Sequence, residues 1–80
     1  MAKTYRSPQA VFRDRLRGNI SLMRGKKPLD TCAKEMGMTF STFRNRTVDP
    51  LKMSLGEAYA WCRLNHVDIS DFVGKELKIG

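Results

Sequence analysis

The stretch TFSTFRN, Thr39 to Asn45, packs a guanidinium fork, a carboxamide, a small hydroxyl and an aromatic ring into seven residues. Each has a partner on a nucleic-acid duplex. Arg44 matches the O6 and N7 acceptors of guanine, and Asn45 matches the N6 donor and N7 acceptor of adenine. Ser41 is small enough to meet either a base edge or a phosphate. Phe40 offers its ring to a thymine methyl or, equally, to the protein core. Thr39 joins a hydroxyl to the free amides of a helix start, a pairing that suits phosphate. Lys26, Lys27, Arg46 and Lys52 are the candidates for phosphate contacts that ignore base sequence.

Other chemistries find little support. His66 is the only histidine, and no phosphate loop or nucleophile–base pair can be assembled around it. Cys32 and Cys62 stand thirty residues apart, which is no zinc spacing. Each falls on the apolar stripe of its helix, so burial as a reduced thiol is expected, with a disulfide as the alternative. Asp68 and Asp71 read as helix-start residues and not as a catalytic pair. No catalytic residue, metal, cofactor or small-molecule substrate is expected.

Charge narrows the partner. The net charge of +7 is sorted along the chain: residues 1–46 carry eleven Lys/Arg against three Asp/Glu, or +8, and residues 47–80 carry four against five, or −1. A half so basic suits a polyanion whose counterions are released on binding. Lipid is the competing polyanion, but no Trp/Leu-rich face backs the basic residues, and no apolar run is long enough to span a bilayer. A cytoplasmic protein is expected.

The elements that must position these residues follow from periodicity and caps. The chain has length for one domain, over residues 8–80, behind a mobile basic arm of residues 1–7. Ser7 and Pro8 start a first helix whose Phe12, Leu16, Ile20 and Met23 face inward. Gly18 and Asn19 permit a bend, and Gly25 ends the helix. Arg13, Arg17 and Arg24 form a solvated face or add phosphate contacts. A second helix covers about Leu29 to Met36, with Asp30 in its first turn and Leu29, Cys32, Ala33 and Met36 inside. Gly37 stops it in a left-handed conformation.

Thr39 then caps a short third helix, Phe40 to Arg46, which TVDP breaks before Pro50. Ser54 and Glu57 form a capping box for a fourth helix. Its stripe is Leu55, Ala58, Tyr59 and Cys62, with Trp61 and Leu64 flanking and Asn65–His66 closing it. Tyr59 and Trp61 are assigned to core or subunit interface. Asp68 caps a fifth helix carrying Ile69, Phe72, Val73 and Leu77. No useful segment alternates with period two, so the expected class is all-α.

Helix, three-residue turn and helix, with Ala33 at the crossing and Gly37 four residues on, is the helix-turn-helix spacing. Met38 and Phe43 point inward, which leaves Phe40, Ser41, Arg44 and Asn45 facing out. On LDTCAKEMGMTFSTFRNRTVDP followed by SLGEAYAWCRLNHVDISDFV, the chain resembles the lambda-repressor/Cro-like helix-turn-helix family. The resemblance covers about residues 8–77. It implies a compact five-helix domain that binds operator DNA as a homodimer, as phage repressors and Cro proteins do.

Two positions depart from the family. Leu29 stands where a phosphate-gripping Gln is common, leaving that grip to Lys26 or Lys27, and Arg46–Thr47 stand where an apolar residue is common. The function expected is a transcription regulator on a palindromic operator. Its dimer interface would use the fifth helix and the tail with Leu77 and Ile79, or else Trp61. A protein–protein adaptor or antirepressor on the same fold is the alternative. RNA binding is disfavoured because few aromatics are free to stack.

Overall fold

The computed structural model describes residues 7–77 and is all-helical, with five α-helices and no strand among those residues. They are α1 (Pro8–Arg24), α2 (Leu29–Met36), α3 (Phe40–Val48), α4 (Leu55–Leu64) and α5 (Ile69–Gly74). A 3₁₀ turn, Pro50–Lys52, links α3 to α4. The basic arm expected at the start and Ile79 near the end lie outside the described residues, except that Ser7 is seen as the cap of α1.

Local chemistry sets the boundaries. Ser7 Oγ accepts from the Ala10 amide at 3.1 Å, and Pro8 fills the first helical position, where an amide would have no partner. α1 runs on through Gly18 and Asn19 to Gly25, whose φ is +61°. At α4 both halves of the capping box form: Glu57 N donates to Ser54 Oγ at 3.0 Å, and Ser54 N donates to Glu57 Oε1 at 2.9 Å.

All five helices feed one core. It comprises Leu16 and Ile20 of α1, Cys32 and Ala33 of α2, Phe43 of α3, Ala58, Trp61 and Cys62 of α4, and Phe72 of α5. Phe43 and Trp61 pack as tilted rings with centroids 5.4 Å apart, the geometry that aromatic quadrupoles favour. Both cysteines are free, and burial pushes their thiols above the ordinary range.

Four readings of the sequence are corrected. The inward face of α4 is Ala58, Trp61 and Cys62, while Leu55 is 84% exposed and Tyr59 52% exposed. Stacking on Phe43 takes Trp61, the largest side chain, inward and rotates the stripe away from Leu55 and Tyr59. Trp61, at 1% exposure, therefore has no surface to give a subunit interface. α3 continues two residues past Arg46, because Val48 and not Arg46 is the last residue before the Asp49–Pro50 constraint acts. α5 is short, and Leu77 lies beyond it.

That last segment is held by α1. Asn19, 1% exposed in mid-helix, donates from Nδ2 to Phe72 O at 2.9 Å and to Lys75 O at 3.0 Å. Its Oδ1 accepts from the Leu77 amide at 2.9 Å. One turn back, Arg15 Nη2 donates to Val73 O at 2.6 Å. The clamp satisfies carbonyls that the end of a six-residue helix leaves without intrahelical partners. The face that carries the core thus also fixes the chain's last described turn.

Candidate nucleic-acid interface

The candidate site is built on the turn between α2 and α3. Gly37 sits at φ +70°, ψ 30°, a left-handed conformation that a side chain would strain. Its N–H donates to Lys34 O at 3.1 Å, and Met38 N–H donates to Ala33 O at 2.9 Å. This pair of bonds satisfies the last carbonyls of α2 and reverses the chain within three residues. Ala33, at the crossing, is buried, and Met38 packs against the core.

Thr39 opens α3. Its Oγ1 accepts from the Thr42 amide at 3.2 Å and donates to Thr42 Oγ1 at 2.9 Å. The hydroxyl proton is therefore committed inside the protein, and the anion-binding capacity of this end of α3 rests on backbone amides.

With Phe43 fully buried, the opposite side of α3 is open. Phe40, Ser41, Arg44 and Asn45 are all exposed and share that side at helical spacing. Phe40 is 50% exposed, so it does not close the core. Among the described residues, the side chains of Arg44 and Asn45 make no ion pair or hydrogen bond. Val48 extends the same stripe and is half-exposed. The sequence reading stops α3 at Arg46 and so omits Val48, to which a further step of four from Arg44 points.

The basic candidates divide into three groups. Lys26 and Lys52 are exposed and make no ion pair among the described residues. Lys27 is exposed but bridges to Glu35 at 2.8 Å, and that hydrogen bond raises its pKa. Arg46 is turned away from the stripe: it faces α4, where its Nε bonds Glu57 Oε1 at 3.1 Å and only about a quarter of its side chain is exposed. The three sets are thus not gathered at one point. Lys26 and Lys27 precede α2 in the chain, Lys52 follows α3, and Arg46 is tied to α4.

On α1, Arg13 pairs with Asp14 at 3.3 Å. Arg17 and Arg24 line a groove of ≈ 460 Å³ that Thr47 and Val48 also line. These two arginines therefore lie beside the end of the exposed stripe and not on a remote face.

No metal-binding group of three or more His, Cys, Asp or Glu exists among the described residues, and no described helix is long and apolar enough to cross a membrane. No protein-family model, curated protein or solved structure matches the chain.

Proposed function

We propose that this protein is a sequence-specific regulator that binds double-stranded DNA, with α2 and α3 as a helix-turn-helix and α3 as the recognition helix. The observation that carries the reading is the open stripe of α3. Arg44 and Asn45 are exposed and uncommitted, in the half of the chain that holds +8. A fork and a carboxamide one residue apart on a helix match base edges in the major groove. Lys26, Lys27, Lys52 and the amides at the start of α3 supply contacts to the phosphates on either side. Occupancy of an operator is enough to regulate, and no chemistry is required. The resemblance to the lambda-repressor/Cro-like family supports the same reading.

One such helix reads only a few base pairs, so a homodimer on a palindrome belongs to the proposal, with half-sites about 34 Å apart. The exposed face of Leu51, Leu55 and Tyr59 is the surface assigned to the second copy. It lies in the half of net −1, where two +7 chains repel least. Three side chains fall well short of the ~800 Å² per partner of a standard interface. The dimer is therefore weak in solution and assembles on DNA.

The test compares two substitutions on one duplex. Arg44→Ala costs about 1–3 kcal/mol on the preferred site and relaxes preference at one base pair. Lys27→Ala weakens all sequences alike and lowers the salt slope by about 0.9. Unchanged affinity and base preference in Arg44→Ala would remove α3 from its assigned role.

A further inference from the structure

The side of α3 turned away from the stripe is joined to α4 at two points, one turn apart on each helix. The first is apolar, Phe43 against Trp61. The second is charged, Arg46 Nε to Glu57 Oε1. An apolar contact alone lets a short helix roll about its axis; a second, directional contact one turn away fixes the roll. Arg46 lies about 200° round the helix from Arg44, so the bond that holds one sets the direction of the other. The same Oε1 also accepts the Ser54 amide, which ties the carboxylate to the start of α4. Both partners are only about a quarter exposed, which weakens solvent screening of the pair. Neighbouring charges do not compete for it: among the described residues, each makes its one ion pair with the other.

We infer that Glu57 is a positioning residue for DNA reading, which acts through Arg46 to fix the roll of α3 and to hold that cation away from the phosphates. The inference rests on the DNA-binding reading above. It gives Arg46 a role distinct from the sequence-blind phosphate contact that its charge suggests.

Two substitutions separate the possibilities. Glutamine also serves at the third position of a capping box, so Glu57→Gln keeps the start of α4 but leaves Arg46 without its ion pair and with at most a neutral hydrogen bond, about half as strong as the charged one. With the Arg46 charge no longer neutralised by its partner, the log–log salt slope for random duplex steepens, by up to about 0.9. The ratio of affinities for preferred over random duplex falls on the order of 5-fold. Arg46→Met keeps most of the side-chain volume; it lowers that ratio similarly and leaves the random-duplex slope as in wild type. A slope lowered by about 0.9 in Arg46→Met makes Arg46 a direct phosphate ligand and overturns the inference. An unchanged ratio in either variant overturns it too.

Arg44→Ala measured beside them distinguishes the failures. If it changes base preference while Glu57→Gln and Arg46→Met do not, only this inference falls. If it does not, the DNA-binding reading falls first. A readout without DNA completes the test: the Arg46 Nε–H NMR signal is protected from exchange in wild type and less protected in Glu57→Gln. An unprotected wild-type signal contradicts the inference whatever the DNA results.

Discussion

Replacing Asn19 by alanine removes three hydrogen bonds that hold residues 72–77 to α1: two donated to Phe72 O and Lys75 O and one accepted from the Leu77 amide, all between 2.9 and 3.0 Å. A neutral hydrogen bond contributes about 1 kcal/mol net, so the three together are worth about 3 kcal/mol. Alanine returns about 0.6 kcal/mol through its higher helix propensity in mid-helix. The net loss is therefore about 2.4 kcal/mol. A domain of this size loses roughly 4–8 °C of melting temperature per kcal/mol, so Tm falls by roughly 10–20 °C. Trp61 is the only tryptophan and is buried, so its fluorescence follows unfolding in urea, with circular dichroism as the second probe. Asn19→Asp serves as the control: it can still accept from Leu77 but turns a negative oxygen toward two carbonyls, and it destabilises at least as much as alanine. A loss under about 0.5 kcal/mol for Asn19→Ala would mean that the Asn19 bonds are dispensable and that burial of Phe72 and the Arg15–Val73 bond suffice to hold α5.

Three further outcomes follow from the same geometry. Gly37→Ala meets no neighbouring atom within 4 Å and suffers only the torsional cost of φ +70°, about 1 kcal/mol net, read as a lower urea midpoint at unchanged m-value. Leu55→Lys, at the most exposed large apolar side chain, changes stability by less than about 0.5 kcal/mol but shifts the stoichiometry on a palindromic duplex from two chains toward one, as sedimentation would show. The Glu57 carboxyl is held below its ordinary 4.5, first by the Ser54 amide and then by Arg46. A carboxylate so lowered stabilises the fold above the unfolded value, and that contribution is lost as pH falls from about 4.5 through the folded value; Glu57→Gln flattens this part of the curve.

The all-helical class, the two stop signals at Gly25 and Gly37, and the caps at Ser7, Thr39 and Ser54 were legible because each is a local rule of one or two residues. The open stripe of α3 was legible for a similar reason, since burying Phe43 forces its neighbours outward. What escaped depends on partners distant in sequence. Asn19 reads as a weak helix former until the chain near residue 75 is brought beside it. Arg46 reads as one more cation until Glu57, which itself reads as a cap, is placed opposite. The rotation of α4 is of the same kind: a stripe through Leu55 and Tyr59 fits the pattern as well as one through Ala58 and Trp61, and only contact with Phe43 decides between them. The end of α3 failed for a smaller reason, that a proline constrains the residue before it without ending a helix earlier.

Selection from a pool of random duplexes, at about 100 mM salt with the full chain, tests the central assignment most directly. The proposed function predicts enrichment of an inverted repeat with half-sites about one helical turn apart, and loss of one position per half-site when Arg44→Ala is selected in parallel. Recovery of unbiased sequence, with binding that depends on salt alone, would contradict it.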